Sequence, residues 1–436
     1  MKNYQSWGNY PKVDESEQDA YHVYSDSFSF PDINSDDNYS FLAYAKGRSY
    51  GDVCQNKKGI LLDTKHLDHY IEYDKDNGTL RCEAGVTFES ILQLIIPHNW
   101  FLPVTPGTKY VSVGGAVAND VHGKNHHQAG TFGKYVLRLE LLRSNGERLI
   151  CSPTENTDFF NATIGGLGLT GLINWVEFSL KKIPGDKIEQ ETLRFNNLEE
   201  FFQVSEQSKD WEYSAAWIDC LASGDELGRG LFIRGKHCSS NKKHKFKSSK
   251  LSVPFNAPSF LLNKYTVNIF NHLYFKKPLK QNNVVDMDPF FYPLDAIANW
   301  NKLYGKKGFL QYQCVIPPQH RKVAMTKILS LISKSGQASF LSVFKEFGDI
   351  VSPGLLSFPR PGITLALDFS HKGDKTLELL NELDVITRSY DGAVYPAKDA
   401  RMSAESFSHY YPIWDEFKQY IDPNFNSDFK RRIETE

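Results

Sequence analysis

The sequence predicts an α+β fold in two parts, and three observations predict it. Short apolar runs typical of strands are mixed with helical spacings of only two or three turns. Two Asn-Gly turns, at Asn77-Gly78 and Asn145-Gly146, each lie between such runs and mark hairpins. Beyond Pro184-Gly185, strand-like segments alternate with helical ones as in a second unit built on an antiparallel sheet, not a doubly wound one.

In chain order, residues 1–40 are polar and turn-rich and read as a loose arm around the first part. Residues 59–63 read as a strand, and 70–73 and 79–84 as the arms of the first hairpin. Residues 87–96 carry Phe88, Ile91, Leu92, Leu94 and Ile95 at helical spacing. Residues 135–142 and 148–151 form the second hairpin. After the boundary, strands are predicted over 213–219, 230–234, 308–316, 340–347 and 362–369, with the clearest helix over 321–335. The expected division is 1–185, 186–374, and a segment 375–436 that returns to the first part.

The chain's 436 residues suffice for two cores, and its aromatic content of 14% fits large buried surfaces. Lys and Arg number 50 against 52 Asp and Glu, so no global field favours nucleic acid. The N-terminal stretch has no apolar core after Lys2, which speaks against a secretory signal. No apolar run approaches the roughly 18 residues that a membrane helix needs. Six cysteines without a CxxC pair read as reduced thiols, and the expected location is cytoplasmic. The basic run at 234–250 reads as a solvated loop or as a contact with anionic lipid on the inner membrane face.

Residues 105–127, TPGTKYVSVGGAVANDVHGKNHH, crowd glycines together. Such glycines let backbone approach a ligand or take positive φ, and bare amides can line a pyrophosphate or a flat cofactor. Tight turns between helices would use the same glycines. A literal GxGxxG at 166–171 follows a helix-like segment and precedes a strand-like one, the reverse of the dinucleotide fingerprint, so nicotinamide binding is rejected. His122 and His126 have i,i+4 spacing, but Gly123 opposes the helix that a metal pair would need, and no metal is expected.

GRSYGD at 47–52, Ala84-Gly85-Val86, PGT at 106–108, SVGGAVAND at 112–120, HGKNHH at 122–127 and AKDAR at 397–401 follow one another in a familiar order. Together they resemble the flavin-dependent oxidoreductases of the vanillyl-alcohol-oxidase type. The longer words are similar to the decaprenylphosphoryl-β-D-ribose 2′-oxidase branch of that family. The resemblance runs from about residue 41 to the C-terminus. It implies a two-part FAD-binding domain of the vanillyl-alcohol-oxidase type beside a substrate domain with a large antiparallel sheet.

The resemblance also implies roles. Lys46, Gly47, Arg48, Ser49, Tyr50 and Gly51, with Gly107, Ser112, Gly114, Gly115, Ala118 and Asn119, would hold FAD, their amides facing the pyrophosphate. The backbone of Ile173 would reach the adenine, and His122, Gly123 and Lys398 would border the flavin. Tyr50 stands where many relatives carry a histidine bonded to the flavin, so FAD is expected to be noncovalent. Ala45 stands where relatives usually have glycine, which a negative φ would tolerate. In strand 309–315, Gln311 and Gln313 share a face, as do Lys345 with Phe347 and Thr364 with Ala366. In relatives these positions line the pocket over the flavin, and Lys124 and Tyr292 are further candidates for substrate contact. Mycobacterial members have asparagine and cysteine at the positions of Thr364 and Ala366, and that cysteine traps nitroaromatic inhibitors covalently. Lys398 would stabilise the reduced ring, and His122, Lys398 and Tyr50 all stay open as the catalytic base.

The function so implied is oxidation of a sugar secondary alcohol, the 2′-hydroxyl of a polyprenyl-phosphoryl-β-D-ribose, to a 2′-keto sugar. A separate NAD(P)H-dependent keto-reductase would complete an epimerisation used in cell wall biosynthesis. Two other readings are weighed: an alditol or aldonolactone oxidase that uses oxygen, and a non-catalytic flavin-binding module. The tyrosine at 50 and the NHH extension speak against the first. Retention of His122, Lys124, Gln311, Lys345 and Lys398 together speaks against the second.

Overall fold

The computed structural model describes residues 4–14, 18–24, 28–31, 39–239, 251–258, 261–279 and 283–435. Its first part is built on a five-stranded antiparallel sheet, in the order Tyr70–Asp74, Thr79–Glu83, Leu172–Ser179, Val136–Leu142 and Arg148–Cys151. Both expected hairpins are present, and Gly78 and Gly146 take positive φ in their turns. Leu80, Cys82, Leu139, Leu141, Val176 and Phe178 are buried against the helix Phe88–Ile95, whose Phe88, Ile91, Leu92 and Ile95 face them. Thr87 caps that helix by accepting from the Ser90 amide at 3.2 Å. The cap stabilises by about 1 kcal/mol, whereas each buried apolar side chain gives roughly 1.5–3 kcal/mol. The apolar stripe therefore places this helix, and the cap sets where it begins.

The second part is an eight-stranded antiparallel sheet, in the order Asn283–Asp286, Lys187–Phe195, Gly230–Cys238, Tyr213–Ile218, Ser342–Phe347, Gly362–Ser370, Phe309–Ile316 and Ala393–Val394. Helices Arg321–Ser335 and Asp374–Ser389 cover one face of it. Their Met325, Ile328, Leu329, Leu380 and Leu383 join Tyr312, Cys314, Phe344, Leu365 and Leu367 in one core. Because side chains alternate along a strand, Gln311, Gln313, Thr364, Ala366 and Asp368 fall on the opposite face. That face looks toward the first part.

Three features depart from the sequence reading. Strand Lys187–Phe195 carries little apolar signal because only Ile188 and Phe195 are buried; it is held by backbone pairing on both edges. The N-terminal arm is wedged in place, not loose. The Trp7 amide donates to Ser49 O at 2.8 Å and the Phe309 amide donates to Gly8 O at 2.9 Å. A Cβ on Gly8 would sit 2.4 Å from Tyr50 O and 2.6 Å from Phe309 O, so only glycine fits between the two parts. The strand Asp19–His22 continues the arm as a parallel partner of Ile60–Asp63. Finally, the return of the C-terminal segment starts later than residue 375. Helix Asp374–Ser389 and Ala393–Val394 still belong to the large sheet and its core, and the segment meets the first part from Tyr395, whose hydroxyl donates to Asn119 O at 2.6 Å, to Asn426, whose amide donates to Phe41 O at 3.0 Å.

The six cysteines are all free. Among the described residues no helix is long and apolar enough to cross a membrane. Of the basic run, residues 234–238 end the strand Gly230–Cys238; the lipid contact read into its lysines at 242–247 lies outside the described residues.

Candidate active site

A cavity of about 990 Å³ lies between the polar face of the large sheet and the glycine-rich loops of the first part. Two loops far apart in sequence are joined at its floor. The Tyr50 amide donates to Ala397 O at 2.9 Å, and a Cβ on Gly51 would lie 1.7 Å from Asp399 O. Arg432 clamps the same junction, with Nε 2.8 Å from Asp52 and Nη2 2.9 Å from Asp399. Gly51 therefore supports the site by close packing and does not itself line the cavity.

At one end the cavity suits an anionic, flat cofactor. Lys46, Gly47, Arg48, Ser49 and Tyr50 line it, and the amides of residues 46–49 donate to nothing among the described residues. Gly47 has φ +57, which turns successive amides the same way, a concavity suited to phosphate oxygens. Ala45 lines the wall without a positive φ, so its methyl group is accommodated. A Cβ on Gly107 would meet nothing within 4 Å, so its backbone is bare to the cavity. The Arg48 guanidinium lies 4.2 Å over the Trp7 ring with its Nε unpartnered among the described residues, and burial lowers its affinity for the proton. Ile173, Ala118 and Asn119 complete this end; Asn119 Oδ1 is buried without a partner among the described residues.

The segment 112–118 behaves differently from its reading as an amide donor. It forms the helix Val113–Ala118 capped by Ser112, and its first amides are already bonded. Val113 donates to Val86 O, Gly114 to Ala84 O and Gly115 to Ser112 Oγ. Ser112, Gly114 and Gly115 still line the cavity, where the missing side chains leave room for a planar group. These free amides, bare glycines and orphaned polar atoms together fit FAD.

The other end is cationic. Lys124, Lys345 and Lys398 all line it. Lys124 Nζ donates to Phe291 O at 3.1 Å, and Lys345 Nζ donates to Gly123 O at 2.7 Å. Burial lowers Lys124 to about 8 and Lys345 to about 7, the latter also through repulsion from Lys124 and Lys398. The Lys345 ammonium is repelled by the other two, and an anion among the lysines would relieve that repulsion. Gln311, Gln313, Thr364 and Ala366 line the adjoining wall. Gln313 Nε2 lies 2.9 Å from His122 Nε2. Burial and the neighbouring Lys345 push His122 well below the usual histidine range, so the ring is neutral, accepts at Nε2 and carries its proton on Nδ1.

Tyr292 and Phe347 are close to the cavity but do not line it. The Tyr292 hydroxyl is bonded to Thr105 Oγ1 at 2.8 Å, which ties the loop at 105 to the large sheet's periphery. The Phe347 ring packs 4.9 Å from His122 and 4.4 Å from His126, and so fixes the imidazole. His122 faces Gln313, while His127 Nε2 lies 2.8 Å from Trp211 O.

Three residues are added by the structure. Asp368 is buried, accepts from Gln311 Nε2 at 2.5 Å and sits in the field of Lys398. Its signal was in the strand pattern, since 364, 366 and 368 share one face. Trp7 lines the cavity from the N-terminal arm, and no local pattern could have placed it there. Cys54 also reaches the cavity, but burial pushes its thiol to about 12, so it stays protonated and unreactive.

A family model described as an FAD binding domain matches residues 32–152. Over 421 residues the chain is 36% identical to the decaprenylphosphoryl-beta-D-ribose oxidase of Mycolicibacterium smegmatis, covering 90% of this chain and 89% of that protein. Partial relatives include the D-lactate dehydrogenase of Anaerostipes hadrus, 26% identical over 30% of this chain and 28% of its own length. The Delta(24)-sterol reductase of Homo sapiens is 29% identical over 31% of this chain and 26% of its own length.

Proposed function

The chain belongs to the family of FAD-dependent oxidoreductases typified by decaprenylphosphoryl-beta-D-ribose oxidase, and on that premise we propose that it oxidises the 2′-hydroxyl of a polyprenyl-phosphoryl-β-D-ribose to the 2′-keto sugar. The observation that carries this reading is the meeting of Lys124, Lys345 and Lys398 with Gln311 and Gln313 around one cavity. Ammonium groups suit the phosphodiester, and amides suit the ribose hydroxyls. An uncharged alditol would leave Lys124 and Lys345 without an anion, whereas Lys398 has Asp368.

FAD, when bound, supplies the hydride acceptor. The chain's own task is to orient the sugar and take the hydroxyl proton. The His122 imidazole is a poor base, because it is neutral far below working pH and its Nε2 is already engaged. The Tyr50 phenol is pushed well above 10 by burial and also stays protonated. Lys398 is lowered by burial while Asp368 is raised, each partly restrained by the other's charge. That narrows the gap between amine and carboxylate, as proton transfer near neutrality requires. Lys398 Nζ in its amine form takes the hydroxyl proton, and the Asp368 carboxylate balances the ammonium so formed. Gln311 links that carboxylate to the sugar wall, and Gln313, held by His122, orients a second hydroxyl.

The 2′-keto product then needs a separate NAD(P)H-dependent keto-reductase to complete an epimerisation. Anaerobic mixing of the FAD-loaded protein with candidate substrates tests the assignment. Flavin bleaching by a polyprenyl-phosphoryl pentose and not by free alditols is expected. Bleaching by alditols alone would transfer the assignment to a soluble-substrate oxidase, and bleaching by neither would leave a binding module.

A further inference from the structure

Helix Lys264–Lys276 borders the cavity and is built inside out for a helix facing water. Asn263 caps it, accepting from the Tyr265 amide at 2.8 Å and the Thr266 amide at 3.2 Å. Its buried stripe is Val267, Asn271 and Phe275, spaced i, i+4, i+8. Asn271 Nδ2 donates to Asp219 Oδ1 at 2.7 Å, and Phe275 lies beneath Arg229 at 4.8 Å. The helix is thus held to the large sheet partly by polar contacts. Phe270 and Tyr274 line the cavity, with Tyr274 packed 4.8 Å from Trp217.

The outer stripe is Tyr265, Ile269 and Leu273, exposed by 78%, 63% and 65%. A water-facing helix carries charged and polar residues there. The strand Leu251–Ser252 pairs with Ile297–Ala298 in the cavity wall, and its neighbourhood exposes Leu251 and Phe255 as well. Charge follows the same pattern. Residues 251–258 and 261–279 contain Lys264, Lys276 and Lys277 but neither Asp nor Glu. Large apolar side chains flanked by lysines and free of acids are the chemistry of a helix lying in the interface of an anionic bilayer.

We propose that the outer face of helix Lys264–Lys276 docks on an anionic lipid bilayer, with Tyr265, Ile269 and Leu273 in the interface. The inner face of this helix is cavity wall, so docking brings the cavity to the level at which a lipid-linked sugar phosphate presents its head group. This last step rests on the proposed substrate; the docking itself does not. A polyprenyl chain can then stay in the membrane while the sugar enters between Phe270, Tyr274 and the lysines.

The test uses the full-length FAD-loaded protein and vesicles of phosphatidylcholine, with or without phosphatidylglycerol, and no substrate. Co-sedimentation with the anionic vesicles is expected, weakened by salt. Ile269→Asp combined with Leu273→Asp should weaken it by on the order of a hundredfold, since each buried aliphatic side chain is worth at least about tenfold. Val323→Asp, at an exposed apolar position on another helix, should leave it unchanged. Tyr265→Trp keeps the stripe apolar, and the emission it adds to the parent's should shift to the blue with anionic vesicles, which guards against misfolding of the double variant. Failure of the parent to bind, binding by the double variant equal to the parent, or an unshifted emission from the Tyr265→Trp variant would each overturn the proposal. A parent dimer made monomeric by the double variant, without vesicle binding, would assign the face to a second copy and overturn it too. Vesicle binding here, with no flavin bleaching by a ribosyl lipid in the separate anaerobic assay, would overturn the substrate reading instead and leave the docking face standing.

Discussion

The ammonium of Lys398 lies 3.9 Å from the centroid of the Tyr50 ring. The backbone of the same two loops is also joined, since the Tyr50 amide donates to Ala397 O. Tyr50 offers the π face that holds Lys398 in the cavity, while Asp368 supplies the opposing charge from the sheet. The phenol at position 50 therefore has a role of its own beside Lys398.

Lys398→Met should slow flavin reduction by about a hundredfold to a thousandfold, or roughly 2.7–4 kcal/mol, as for other groups that act mainly in the transition state. FAD content and thermal unfolding should change little. Stopped-flow reduction under anaerobic conditions checks this, and a rate near the parent's would remove Lys398 from the chemistry.

Asp368→Asn should change the shape of the pH profile, not only its height. The Asp368 carboxylate raises Lys398 toward protonation, so removing it should make the amine available at lower pH. The rising limb of reduction rate against pH should move to lower pH, and the plateau should fall because the new ammonium lacks its counter-charge. An unmoved limb would show that Asp368 is only structural.

The lysine cluster should leave a mark on stability. Lys345 is lowered from 10.5 to about 7, so between those values the unfolded chain holds a proton that the folded chain has lost. Stability contributed by this site therefore rises with pH across that window, by at most about 1.4 kcal/mol per pH unit. Denaturant unfolding of FAD-free protein should show a slope that Lys345→Met reduces. Equal slopes would contradict the shift.

FAD should be noncovalent. Position 50 is a phenol, and the Cys54 thiol is held protonated at about 12. Acid precipitation should release all yellow colour into the supernatant; colour in the pellet would contradict the assignment.

Ala366 lines the cavity opposite Gln313 in the strand register. A nitroaromatic compound reduced at the flavin should inhibit the natural sequence only reversibly, because a methyl group cannot form the adduct. Ala366→Cys should gain an adduct visible in the intact mass, and failure to gain one would displace residue 366 from the flavin side.

Much of this site was legible in sequence because its motifs are local. The loops at 46–50 and 107–108, and the alternation of Gln311 with Gln313, are decided by neighbours in the chain. What escaped was decided from a distance. Trp7 and Gly8 read as part of a polar arm, yet close approach of Tyr50 and Phe309 fixes them. Residues 112–118 read as a loop because Gly114 and Gly115 are poor helix formers; capping by Ser112 and packing of Val113, Ala116 and Val117 against the five-stranded sheet override that cost. Asp368 lies one alternation beyond Ala366, and its burial is set by Gln311 across the sheet. The helix Lys264–Lys276 was not singled out in the sequence, and its outer stripe is defined by which side the large sheet covers.

The proposed reaction breaks the C2′–H bond of a lipid-phosphoryl ribose in this cavity. Substrate carrying deuterium at C2′ reports on that step through the rate of anaerobic flavin reduction in single turnover. A primary isotope effect is expected for deuterium at C2′ and none for deuterium at C3′. An effect at C3′ alone, or reduction insensitive to both labels while free alditols reduce the flavin, would contradict it.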